Sequence, residues 1–144
     1  MYGPKQRPDL AIYKFTKALF KDEPIQLYGN GSTRRDYTNV EDIVHGIINS
    51  IQNLDGYHIY NLGESQTISL MELVHLLENF TGKKANIRYL PMQAGDVNQT
   101  FADISKAKVE LSYSPKVSIE NGLKDFVNWY KTTNVINESI AINK

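Results

Sequence analysis

The sequence predicts an α/β domain, and three observations carry that prediction. Apolar residues at three- and four-residue spacing recur along the chain, which is the signature of amphipathic helices. Between those patterns lie short apolar runs with period-two alternation, the signature of strands. Glycine, proline and asparagine clusters separate the two kinds of segment. Helices alternating with short strands bury their apolar faces best as an α/β arrangement.

Residues 1–8 read as a loop punctuated by Gly3, Pro4 and Pro8. A helix is expected from Asp9, its cap, with Ile12, Phe15, Ala18 and Leu19 on one stripe. It should stop near Asp22, because Pro24 disfavours helical geometry at Glu23. The stretch from Ile25 to Thr38 organises the rest: Ile25-Gln26-Leu27-Tyr28 as strand, Gly29-Asn30-Gly31 as tight turn, then a second strand. Successive strand residues face opposite sides, so Arg34 and Arg35 diverge, one into a cleft and the other to solvent. A guanidinium fork beside a backbone turn suits a phosphate or carboxylate, to which it donates two parallel hydrogen bonds. The competing reading is a hairpin with two surface arginines, one of them paired with Asp36.

The strongest helical pattern follows: Val40, Ile43, Val44, Ile47, Ile48 and Ile51 fall at helical spacing, with Asn39 as cap and Asp42 three residues on. Asn53 to Gly56 ends that helix, and Tyr57 to Gly63 reads as a strand. Ser69-Leu70-Met71-Glu72 is a capping box opening a helix through Leu73, Val74, Leu76, Leu77 and Phe80, with Gly82 as its left-handed stop. Asn86 to Leu90 is a short strand, and Pro91 to Asp96 a loop. Asp103 caps a short helix over Ile104 to Leu111, and Ser118 caps the last one, which carries Ile119, Leu123, Phe126, Val127 and Tyr130. Beyond Thr132 the pattern fades, so the chain divides into a domain of residues 1–132 and a tail, 133–144, expected to fray.

At 144 residues the chain is one domain or a piece of a larger protein. Sixteen basic and sixteen acidic residues cancel, which argues against a general affinity for nucleic acid or an anionic membrane. The lack of cysteine excludes disulfides, thiolate metal sites and cysteine nucleophiles. No apolar run approaches the ~20 residues of a membrane span, so a cytoplasmic protein is the default expectation.

Two tempting motifs fail. Gly29-Asn30-Gly31 follows a strand, but Arg34 replaces the third glycine of a dinucleotide loop and strand-like residues follow. Tyr13 and Lys17 match a Tyr-x-x-x-Lys spacing, which common residues on a helix produce by chance. His45, His58 and His75 show no ligand spacing, and no nucleophile signature occurs. The expectation is therefore no catalytic residue, no cofactor-binding residue and no metal site. Arg7, Arg35, Asp96 and Tyr28 do converge in kind: two cations, an anion and an aromatic suit a phosphorylated, hydroxyl-rich ligand such as a sugar nucleotide.

Seven short motifs then occur in order: Tyr2-Gly3-Pro4, Ile25 to Gly31, Arg34-Arg35-Asp36-Tyr37, Val40-x-Asp42, Tyr60-Asn61-Leu62-Gly63, Gly95-Asp96 and Ala102-Asp103-x-Ser105-Lys106-Ala107. The succession resembles the C-terminal, substrate-binding part of nucleotide-sugar epimerases and dehydratases of the extended short-chain dehydrogenase/reductase family. Arg7-Pro8-Asp9-Leu10-Ala11 and Leu90 to Val97 narrow the likeness to UDP-glucuronate 4-epimerases. In that family an N-terminal Rossmann domain holds NAD and supplies the catalytic Tyr-x-x-x-Lys. The enzyme oxidises C4 of the sugar, turns the keto intermediate and returns hydride to its other face. The resemblance implies that Arg7 holds the glucuronate carboxylate, that Ile25, Gln26 and Tyr28 line the uracil, and that Arg35 binds the diphosphate. It assigns Asp96 to the ribose, and Gln93 to a position where some relatives carry a second phosphate arginine. It places Tyr13 and Lys17 in the first helix of the substrate domain, away from any catalytic pair.

No Rossmann domain is contained in these 144 residues. The resemblance therefore implies a UDP-sugar-binding lobe, inactive alone: an expression fragment, a truncated gene product or half of a split enzyme, with catalysis requiring a separate Rossmann-domain chain to dock. An apolar surface left uncovered would favour self-association. The alternatives are a noncatalytic UDP-sugar-binding or interaction module, or part of a UDP-glucose 4-epimerase or dehydratase.

Overall fold

The computed structural model describes residues 1–53, 55–92 and 95–142, with side chains described as far as residue 133. Along the chain the elements are α1 (Ala11–Lys21), β1 (Ile25–Tyr28), β2 (Arg34–Arg35), α2 (Val40–Gln52), β3 (Ile68–Ser69), α3 (Leu70–Thr81), β4 (Ile87–Leu90), α4 (Ser105–Leu111) and α5 (Ile119–Ile142). The α/β class expected from the sequence is what forms.

The main core lies where α1, α3 and α5 meet β1. Leu73, Val74 and Leu77 of α3 are fully buried against Ile12, Phe15 and Leu19 of α1 and Leu123, Phe126 and Val127 of α5. Each such side chain contributes about 1.5–3 kcal/mol by leaving water. α3 starts and stops as its sequence dictates. Ser69 and Glu72 form the reciprocal capping box, and Gly82 takes the left-handed conformation at φ 71° that ends the helix. Asp9 does not cap α1. The cap position is Leu10, with no side-chain hydrogen bond, because Asp9 turns back to Arg7.

β1 pairs in parallel with β4, Ile25 opposite Ile87 and Tyr28 opposite Leu90. β2 pairs antiparallel with β3, and not with β1. The strand–turn–strand stretch is therefore no hairpin: Gly29 to Thr33 carries the chain from one two-stranded sheet to the other. Gly31 makes that passage at φ 80°, with Met71 so close that a Cβ would meet its Cγ at 2.6 Å.

Two further expectations are corrected. The segment from Tyr57 to Gly63 is not a strand, because no neighbouring strand is present for it among the described residues. Tyr57 and Ile59 stand out from it, 86% and 67% exposed. The helix with the strongest apolar pattern, α2, buries only Asp42 and Gly46; Val44, Ile47, Ile48 and Ile51 are about half exposed. Periodicity finds an apolar face but not what covers it. On its covered side α2 meets α4, where Ile104, Ala107, Leu111 and Tyr113 form a second small core with Tyr60, Leu62 and Ala102. Gly46 lets Leu62 cross the helix, since a Cβ there would meet Leu62 Cδ1 at 2.6 Å. α5 continues to Ile142, through the stretch where the sequence pattern fades.

Candidate functional site

The two arginines of β2 diverge, as alternation along a strand requires. Arg34 turns toward β3: its Nε donates to Thr67 Oγ1 at 3.0 Å, a terminal nitrogen donates to the Thr67 carbonyl, and Nη1 lies 3.3 Å from Glu72 Oε2. Arg34 is thus a strut between the sheet and the start of α3. Arg35 turns the other way. Its Nη2 donates to Asp96 Oδ1 at 3.2 Å and its Nη1 to the Arg34 carbonyl at 2.8 Å. Arg35 and Asp96 lie 61 positions apart in sequence, so the fold itself brings these two candidate residues together.

β1 places the next two. Gln26 is exposed and Tyr28 half-buried, and with a period of two they share the outward face of the strand. Ile25 and Leu27 face the core, 1% and 0% exposed. Only the main chain of Ile25 is left to line a ligand, and its N–H already donates to the Asn86 carbonyl at 2.8 Å. Arg7 stands in the loop before α1 with its side chain 77% exposed. Its Nε donates to Asp9 Oδ1 at 3.0 Å and a terminal nitrogen donates to Oδ2. That hydrogen bond holds the Asp9 carboxyl below the usual carboxylate range. Gln93 lies outside the described residues.

Beside Arg35 opens a cavity of about 260 Å³ whose walls include Tyr37, Glu64, Gln66, Lys116 and Glu120. Burial pushes the Tyr37 hydroxyl up to about 12, against the pull of the Arg35 charge. Burial also pushes Glu64 up to about 7, and the charges of Asp42 and Asp36 add to the shift. Its Oε2 is buried with no hydrogen-bond partner among the described residues.

The Asp36 and Asp42 carboxylates hold the site's frame, a role that sequence reasoning missed. Asp36 accepts the N–H groups of Glu64 at 3.0 Å, Ser65 at 3.1 Å and Ala102 at 3.3 Å. Asp42, 2% exposed, accepts from Lys116 N–H at 2.8 Å and Val117 N–H at 3.1 Å. Asn39 alone caps α2, accepting the Glu41 N–H at 2.9 Å, which frees Asp42 to tie the entry of α5 to the start of α2. An aspartate three residues after a cap reads as half of a capping box, and nothing local separates that from a long-range anchor.

Tyr13 packs edge-on against Phe126 and Tyr130, at 6.2 and 5.3 Å between ring centres, so the Tyr13–Lys17 spacing belongs to an aromatic core. Gly29-Asn30-Gly31 leads into β2 rather than a helix, so these residues build no dinucleotide loop. Among the described residues no group of three or more His, Asp or Glu is placed to hold a metal ion, and no helix is long and apolar enough to cross a membrane.

Residues 1–126 match the GDP-mannose 4,6 dehydratase family. The chain belongs to that family. It is 43% identical over 143 residues to a UDP-glucuronate 4-epimerase of Thermodesulfobacterium geofontis, covering 99% of this chain and 44% of the relative. The UDP-glucuronic acid 4-epimerase of Bacillus cereus, solved with UDP-glucuronic acid and NAD, superposes with a TM-score of 0.84 at 34% identity; the match covers 92% of this chain and 43% of that one. The UDP-glucose 4-epimerase of Thermotoga maritima, solved with UDP-glucose, gives 0.85 at 32% identity over the same shares. This family member thus has the α/β fold of part of a nucleotide-sugar epimerase of the extended short-chain dehydrogenase/reductase type. It spans less than half the length of these relatives.

Proposed function

We infer that these residues form the UDP-sugar-binding lobe of a UDP-glucuronate 4-epimerase-like enzyme. The observation that carries this reading is the meeting of Arg35 and Asp96 beside the outward face of β1. Arg35 holds the diphosphate with its charge, and Asp96 turns from Arg35 to the ribose hydroxyls. Tyr28 offers a ring to the base, and Arg7 exchanges Asp9 for the sugar carboxylate. Ile25 contributes main chain at most.

Epimerisation at C4 needs a hydride carrier and a base, and the described residues hold neither a dinucleotide loop nor a catalytic Tyr-x-x-x-Lys. Both come from a dinucleotide-binding domain, elsewhere in the same protein or on another chain. The half-exposed Val44, Ile47, Ile48 and Ile51 of α2 are the face for it to cover. Left uncovered, that face drives self-association.

Titration calorimetry of the 144-residue chain with UDP and UDP-glucuronate tests the reading. Both should bind weakly, because on this reading these residues supply only one side of the pocket, and Arg35→Ala should abolish the heat. No heat with either ligand refutes the assignment. Turnover of UDP-glucuronate by the chain unaided, with NAD supplied, refutes the need for a second domain.

A further inference from the structure

The chain has four arginines, and three of them are committed to carboxylates: Arg7 to Asp9, Arg34 to Glu72 and Arg35 to Asp96. Arg88 is the exception. Among the described residues it makes no hydrogen bond or ion pair, and it stands exposed in the middle of β4. β4 is in parallel register with β1, and the residue opposite Arg88 is Gln26. Residues in register share a face and neighbouring strands lie about 4.8 Å apart, so the amide and the guanidinium can both reach one planar group. Tyr28 lies two residues further along the same face.

One role of an unpaired charge on a two-stranded sheet is to keep other strands away. The donor and acceptor pattern of this pair points elsewhere. Arg88 only donates, whereas Gln26 both accepts through Oε1 and donates through Nε2. The edge of uracil reads acceptor, donor, acceptor: O2, N3–H, O4. Gln26 can take the N3–H and give to O2 while Arg88 gives to O4, leaving no polar atom unmatched. Cytosine presents an amino donor where Arg88 needs an acceptor. Guanine offers O6 to Arg88 but sets two donors, N1–H and the amino group, against the single Gln26 acceptor.

We propose that Arg88 is a specificity-determining residue that selects a uracil base, acting with Gln26 across the β1–β4 pair. This rests on the reading that the outward face of β1 lines the nucleobase. The two ideas fail separately in one experiment. The 144-residue chain is titrated by calorimetry with UDP, CDP, GDP and inorganic pyrophosphate, as wild type and as Arg88→Met, which keeps the apolar stem of the side chain. Arg88 is exposed, so the variant should fold, and its circular dichroism is compared first. Wild type should prefer UDP over CDP roughly tenfold or more, the discrimination typical of one good side-chain–base contact. Arg88→Met should bring UDP and CDP within about twofold of each other while pyrophosphate binds unchanged.

An unchanged UDP-to-CDP ratio in the variant overturns the proposal. So does an equal loss of UDP, CDP and pyrophosphate, which would make Arg88 a plain phosphate charge. If wild type binds pyrophosphate but does not rank UDP above the other nucleotides, Arg88 reads no base although the phosphate site stands. If wild type binds neither UDP nor pyrophosphate, the sugar-nucleotide reading itself has failed.

Discussion

Gly122 sits inside α5, where the usual expectation is that alanine stabilises by about 1 kcal/mol through helix propensity. The structure reverses that sign. A Cβ at Gly122 would collide with the Tyr2 hydroxyl, and would lie 2.8 Å from Tyr2 Cζ and 2.7 Å from Asn39 Nδ2. Neither neighbour can retreat. Tyr2 is 2% exposed, its N–H donates to the Thr38 carbonyl and its own carbonyl accepts from Val40 N–H, both at 2.8 Å. Asn39 is held as the cap of α2. Overpacking costs about 1–3 kcal/mol, and disturbing the cap adds about 1. After the propensity gain, Gly122→Ala should destabilise by about 2 kcal/mol. Urea denaturation followed by circular dichroism reads this directly, as a midpoint lowered by about 1 M at a slope near 2 kcal/mol per M. Tyr2→Phe removes the nearest atom, so in that background the alanine should cost less, by about 1 kcal/mol. If Gly122→Ala proves as stable as wild type or more so, the packing argument at the start of α5 is wrong.

Other expectations follow from the same physics. Asp42→Ala strips two N–H groups of a charged acceptor and should cost about 3 kcal/mol in urea denaturation, Asp42→Asn roughly half as much. Leu73→Ala in the core should cost about 2–5 kcal/mol, whereas Ile47→Lys on the half-exposed face of α2 should stay within about 0.5. Ser69→Ala should cost about 1 kcal/mol through the lost capping box. The native chain keeps the Glu64 proton to about pH 7, whereas the unfolded carboxyl releases it near 4.3. The unfolded state therefore binds fewer protons in that window. Stability should fall as pH rises through it, by about 1 kcal/mol after allowing for solvent screening, and Glu64→Gln should flatten the profile in thermal melts at pH 5 and 8.

Local chemistry made α3 legible in the sequence, because cap, apolar stripe and stopping glycine all lie within fourteen residues. The divergence of Arg34 and Arg35 was legible too, since strand alternation alone requires it. What stayed hidden is long-range. β1 and β2 look like the arms of a hairpin until β3 and β4 are known to claim them separately. The apolar face of α2 is plain in sequence, but which elements cover it is not. In sequence Asp36 reads as a partner for a neighbouring arginine and Asp42 as half of a capping box, because their true partners lie 28 to 75 positions further along the chain. Arg88 drew no attention, since a lone arginine in a strand carries no motif; only the register opposite Gln26 gives it company.

The parallel pairing of β1 with β4 has a consequence for how the protein is made. Ile25 to Tyr28 leaves the ribosome long before Ile87 to Leu90 is synthesised, and a parallel partner cannot be supplied by a nearby turn. Throughout that interval an apolar strand waits without its mate, shielded only by α1, while non-local closure makes folding slow. Slowing translation between β1 and β4 should therefore lower the soluble yield, because it lengthens the wait.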